Sequence, residues 1–235
     1  MRPWWGVVFL VFLTGAFARE PLTGIRARTT PKLTAQLAGK NLELGDPVFV
    51  RIFKEERQLE IWMRPDGRGR FVLFKTYPVA NWGGGTLGPK LAEGDGQAPE
   101  GFYYVPPSRM KPDSRFHLAF NLGYPNSYDK AHGRTGSFLM VHGDNVSIGC
   151  YAMTDQKIEE IYLLAEAALA GGQPFFRVHC FPFRMTRERL ARATASGKPW
   201  IGFWQNLETG YRFFESSRVP PDVGVDPKTK RYTFR

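Results

Sequence analysis

The sequence predicts a mainly β single domain with two or three peripheral α-helices. Three observations predict it. Apolar residues alternate with polar ones across 47–79, between clusters of turn residues. Further short strand-like runs follow at "FYYVPP", "FHLAFNL" and "SFLMVHG". Helical spacing is sustained in one long stretch, 154–172, and neither a repeat nor a domain linker interrupts the chain.

Each element has a local reason. Residues 19–46 are polar, with a short helix expected over Lys32–Ala38, ended by Gly39. "PVFVRIF" (47–53) alternates, "KEER" turns, and "QLEIWMR" (58–64) puts Leu59, Ile61 and Met63 on one face. "PDGRGR" is a second turn before a third strand, "FVLFKTYPV" (71–79). The glycine-rich stretch 81–101 is too long for a hairpin loop, and loops of that length are commonly functional. It lacks the P-loop pattern and leads into no helix, so a phosphate cradle is rejected. "GYPNSYDKAHGRTG" (123–136) is irregular.

In the second half, Thr154 or Asp155 caps a helix with Ile158, Ile161, Tyr162, Ala165 and Leu169 on one stripe, stopped by Gly171 and Gly172. "PFFRVHCFPF" (174–183) reads as a strand and "TRERLARATASG" (186–197) as a short basic helix. The aromatic segment 200–218 fits strand or helix.

The N-terminus reads as a secretory signal peptide: Arg2, an apolar run from Trp4 to Leu13, then Ala16-Phe17-Ala18, with cleavage expected after Ala18. The run is short for a membrane span, and no later segment is long and apolar enough to be one. No cysteine stands at the cleavage site for a lipid anchor. The expectation is an exported, periplasmic protein. Formal charge is +10, from 32 basic and 22 acidic residues scattered without a block. Export argues against nucleic acid; the charge suits a carboxylate-rich polymer or an anionic lipid surface.

One stretch carries chemistry: "HGDNVSIGCYAMTD" (142–155). A strand delivers His142, and a seven-residue loop, Gly143 to Gly149, leads to Cys150. Thiol catalysis needs a thiolate, a base and donors for an oxyanion. The short loop can return imidazole to sulfur, Gly149 permits a close backbone approach, and the N–H groups of Gly149, Cys150 and Tyr151 are candidate oxyanion donors. A cysteine here also fits a small buried side chain, or half of a Cys150–Cys180 disulfide. A zinc site from His142, Cys150, His179 and Cys180 matches no common finger spacing. Ser147 can hydrogen-bond to shape the loop, or serve as a plain turn residue. Tyr124, Asn126 and Asp129 either line the cleft or form a network within their own loop. Asp144 is near His142 in sequence, and His179 reads as structural. His117 and His132 have no distinguishing context.

These residues resemble the L,D-transpeptidase catalytic domain (YkuD) family. The family pattern is His-Gly at a strand end, then Ser-x-Gly-Cys; here these are His142-Gly143 and Ser147-Ile148-Gly149-Cys150. "QAPEGFYYV" is similar to the family's Thr-Pro-x-Gly-x-Phe segment, with Ala98, Pro99, Gly101 and Tyr103 in the matching places. The short spacer, "GPKLAEGDGQAPEGFY", "YPNSYD", "GCYAMTD" and "HCFPFRMT" look like the YafK-like branch. The resemblance covers about 47–183, leaving an N-terminal segment 19–46 and a C-terminal extension 184–235. It implies a β-sandwich-like domain in which Cys150 attacks a meso-diaminopimelate carbonyl of a peptidoglycan stem peptide. A thioester forms, His142 is the base, and neither metal nor cofactor is needed. Either an amine resolves the thioester, making cross-links or a wall-linked lipoprotein, or water does, releasing stem peptides or lipoprotein. A non-catalytic wall-binding module remains a third reading. Two departures stand out: Ile148 replaces a second His, and Ala152 replaces an Arg suited to the substrate carboxylate. Arg134 and Arg184 are the expected substitutes for that Arg.

Overall fold

A computed structural model describes residues 20–235; the expected signal peptide, 1–18, lies outside the described residues. Two sheets hold the molecule. The first has the order β3 (Val72–Pro78), β2 (Gln58–Met63), β1 (Val48–Phe53), β9 (Phe176–Phe181), β4 (Gly101–Val105). Its pairs are antiparallel except β1–β9, which is parallel. The second sheet runs β5 (Met110–Lys111), β6 (Ala119–Asn121), β7 (Met140–His142), β8 (Tyr151–Ala152), with β7 and β8 parallel.

Strand β1 is buried along its whole length, because its two faces serve two cores. Val48, Val50 and Ile52 join the inner core, shared with β6, β7 and helices α1 (Leu22–Ala38) and α3 (Asp155–Ala170). Phe49 and Phe53 face outward, toward the C-terminal helices α4 (Arg187–Ala195) and α5 (Ile201–Ser217). Strand β9 divides the same way: Phe176, Val178 and Cys180 point in, Phe181 out. Period-two alternation here separates two apolar environments rather than core from water.

The sheet-centred fold class predicted above is what the structure shows, but helices are more numerous. Among the described residues there are five α-helices, including the single-turn α2 (Ser127–Ala131). Helix α1 begins ten residues before the expected start and runs through Pro31. Its buried stripe, Ile25, Thr29, Leu33, Leu37, has a strict four-residue spacing that the polar composition hides. Packing on α3 supplies the stability that local propensity lacks, aided by the Arg26–Glu166 and Arg28–Glu159 ion pairs. Segment 200–218 resolves as helix: Phe203, Trp204, Leu207 and Phe214 are buried at helical spacing. The chain closes in a hairpin, β10 (Val223–Val225) with β11 (Tyr232–Phe234).

Candidate active site

The parallel β7–β8 pair sets Val141 opposite Tyr151 and His142 opposite Ala152. Cys150 comes one residue before β8, and its thiol is turned to the backbone of Phe138 and Met140, at the start of the strand that ends on His142. The other edge of β8 is covered by the start of the glycine-rich loop, through Ala80 N–H to Ala152 O (2.8 Å) and Ala152 N–H to Asn81 O (2.8 Å).

The loop between them is tightly built. Gly143 sits where a Cβ would lie 2.6 Å from Asp155 Oδ1 and 2.8 Å from Phe116 O. Gly149 adopts φ +141°, open to a residue without a Cβ. Ser147 Oγ accepts the N–H groups of Gly149 (3.0 Å) and Cys150 (2.8 Å) and donates to Cys150 O (2.7 Å). This corrects the oxyanion expectation: the Gly149 and Cys150 donors are aimed at Ser147, and Tyr151 is a ladder residue. The buried Tyr151 ring instead donates its hydroxyl to Pro99 O at 2.7 Å.

His142 is buried, with its ring against Phe116 at 4.8 Å. Its Nδ1 lies 2.5 Å from Gly143 O. A carbonyl oxygen only accepts, so Nδ1 carries the proton and Nε2 is left as the base nitrogen. Burial lowers the imidazole pKa, against the Gly143 bond and the Asp144 charge. Cys150 is half-buried. Its Sγ accepts Met140 N–H at 3.4 Å and donates toward Phe138 O at 3.6 Å. Burial raises the thiol pKa, opposed by the Met140 bond and the charge of Lys90. Both shifts disfavour a thiolate–imidazolium pair in the free protein. At these burials the neutral thiol and the neutral imidazole each cost less desolvation than their charged forms.

The basic substitutes fare differently from expectation. Arg134 is buried, donating to Asp129 Oδ1 at 2.9 Å with its guanidinium over Phe203 at 4.5 Å. Arg184 is spent on Glu60 (2.6 Å) and Gln58 (2.7 Å), over the Phe53 ring. Tyr124 donates to Lys90 O at 3.2 Å and so anchors the glycine-rich loop. Asn126 caps α2 and donates to Phe102 O and Tyr232 Oη, both at 2.9 Å. The cation whose charge reaches Cys150 is Lys90, inside the glycine-rich loop, where it donates to Asp95 Oδ1 (2.8 Å) and Ala92 O (2.9 Å). The unusual length of that loop was the signal, but nothing in the sequence singled out the lysine. Exposed apolar side chains lie in the loop before the cysteine, Val146 and Ile148 (92 %), and at Phe138 (70 %), whose carbonyl the thiol meets.

Both cysteines are free, with Cys180 fully buried in the inner core. Among the described residues no group of three His, Cys, Asp or Glu could hold a metal ion. His179 lies between Phe49 (4.6 Å) and Phe102 (4.7 Å), away from the Cys150 loop.

The L,D-transpeptidase catalytic domain family (YkuD) matches residues 47–173, and the chain belongs to that family. It is 45 % identical over 204 residues to the protein named "Putative L,D-transpeptidase YafK" of Escherichia coli (strain K12), covering 87 % of this chain and 80 % of that one. Among solved structures it is similar to the helical cell shape determining protein Pgp2 of Campylobacter jejuni, at 17 % identity and TM-score 0.46, covering 83 % and 80 %. L,D-transpeptidase 1 of Mycobacterium tuberculosis matches at 15 % identity and TM-score 0.32, covering 59 % and 64 %. Family membership makes this an L,D-transpeptidase-type protein directed at peptidoglycan.

Proposed function

We propose that the protein is an exported cysteine acyltransferase that acts on peptidoglycan stem peptides in the periplasm. The observation that supports the reading is the parallel β7–β8 pair, which ends on His142 and begins one residue after Cys150, with the imidazole tautomer set by Gly143 O. Cys150 Sγ attacks the carbonyl at the L-centre of meso-diaminopimelate, forming a C–S bond. His142 Nε2 takes the thiol proton as the bond forms and passes it to the departing amine of D-alanine, whose C–N bond breaks. An acceptor amine then attacks the thioester, re-forming an amide and releasing the thiol. Because thiol and imidazole are neutral at rest, the proton moves when the carbonyl arrives rather than beforehand.

Lys90 is buried and paired with Asp95, so its part is electrostatic, its charge favouring the thiolate as it forms. The exposed apolar rim of Phe138, Val146 and Ile148 gives the donor or acceptor a surface to rest on. The same thioester is open to water, and the hydrolytic reading, release of stem peptides or of a wall-linked lipoprotein, shares every residue named here.

The test is product analysis of diaminopimelate tetrapeptide muropeptides and lipoprotein-linked muropeptides, with an added amine acceptor, beside Cys150→Ala. Cys150-dependent cross-linked product supports transpeptidation. Cys150-dependent loss of the linked peptide without a new amide assigns hydrolysis. Binding without turnover in either protein would leave only a wall-binding module.

A further inference from the structure

A cavity of about 570 Å3 opens on the outer face of the five-stranded sheet, bordered by β4, β9, α2 and the β10–β11 hairpin. None of its lining residues belongs to the Cys150–His142 pair or to loop 143–149. Its size is that of a small-ligand site.

One wall is an ordered row of four side chains. The Tyr104 and Phe175 rings meet at 5.3 Å, Arg109 lies over Tyr104 at 5.0 Å, and Arg177 over Phe175 at 5.2 Å. Arg109 is held in place: its Nη1 donates to Tyr104 O at 2.7 Å, and Gly123 leaves room where a Cβ would lie 2.0 Å from that nitrogen. Lys130 adds a third cation. Asp222, bonded to Arg177, is the one carboxylate in the lining, so the cavity is net positive. His179 also lines it, fully buried, with no hydrogen-bond partner for either ring nitrogen. β4 is an edge strand, but Phe102 O and Tyr104 O are taken by Asn126 and Arg109. Those carbonyls are closed to an added strand, so recognition falls to the side chains.

We propose that this cavity is a second binding site, for a short peptide bearing at least two carboxylates. That is the chemistry of the stem peptide, and the choice of ligand rests on the function proposed above. Guanidinium groups pair with carboxylates through two parallel hydrogen bonds. The Tyr104–Phe175 surface covers the apolar stem. Holding a neighbouring stem here raises the effective concentration of the wall polymer at Cys150.

The test is calorimetric titration of the Cys150→Ala protein with free diaminopimelate tetrapeptide. Two binding events are expected. Arg109→Gln with Arg177→Gln reduces them to one, and Lys130→Gln, at an exposed position that does not disturb folding, weakens the second event several-fold. A single event unchanged by Lys130→Gln and by the arginine substitutions overturns this site while leaving the Cys150 reading intact. No binding at all contradicts the stem-peptide reading and, with it, the ligand assigned here.

Discussion

Ser147 Oγ holds Cys150 at both ends of its peptide unit, accepting its N–H at 2.8 Å and donating to its C=O at 2.7 Å. The nucleophile's backbone is fixed by one hydroxyl that also takes the N–H of Gly149. Ser147→Ala leaves two N–H groups and a carbonyl without that partner, at about 1–3 kcal/mol for a buried group. The expected result is a loss of roughly tenfold or more in kcat/KM with a modest drop in Tm. Ser147→Thr keeps the oxygen and restores most of the rate. Steady-state kinetics on all three proteins checks this.

The resting thiol is protonated at neutral pH, because burial raises its pKa above the ordinary range near 8.5. Alkylation of Cys150 by iodoacetamide should be slow at pH 7 and climb through the alkaline range. Since the thiol is bonded to the backbone of Phe138 and Met140, His142→Ala should change that free-protein rate little while abolishing turnover. Fast alkylation at pH 7 that collapses in His142→Ala would restore a preformed ion pair.

Lys90 is buried beside Asp95, and its charge opposes the burial that raises the Cys150 pKa. Lys90→Met should push the alkylation midpoint of Cys150 further up in pH and lower kcat/KM. Asp95 keeps its bonds from Leu91, Ala92 and Gln97 N–H, so the loop should stay folded. Kinetics together with thermal melts separates the two effects.

Lys54 and Glu100 form a fully buried ion pair at 3.0 Å, and the pair ties the glycine-rich loop down. Lys54 donates to Gly88 O, while Glu100 accepts from Gly88 N–H and Trp204 Nε1. Lys54→Met strands a buried carboxylate and should cost about 3–5 kcal/mol. Adding Glu100→Gln should recover part of that loss. Denaturant unfolding of the single and double variants measures it.

Much of this was legible in the chain. The hairpin β1–β2–β3, strand β9 and helix α3 follow from apolar period and turn residues, since packing merely confirms the local pattern there. Helix α1 was shortened because Thr29 occupies a core position and Pro31 suggests a break. Helix α5 was ambiguous because aromatic residues suit either backbone until a partner face is known. At the site, residues 142–150 are contiguous, so the segment could be compared whole with the family's pattern, while spacing alone left the role of Cys150 open. Lys90 is brought in from a loop with no periodicity, and Arg134 and Arg184 have carboxylate partners, Asp129 and Glu60, that only the fold supplies.

The most direct measurement is intact-protein mass spectrometry during turnover of a diaminopimelate tetrapeptide, with the protein, Cys150→Ala and His142→Ala in parallel. The account predicts an adduct with the mass of the acyl tripeptide, located at Cys150, absent from Cys150→Ala and strongly reduced in His142→Ala. Turnover that persists in Cys150→Ala, or an adduct placed on another residue, would contradict it.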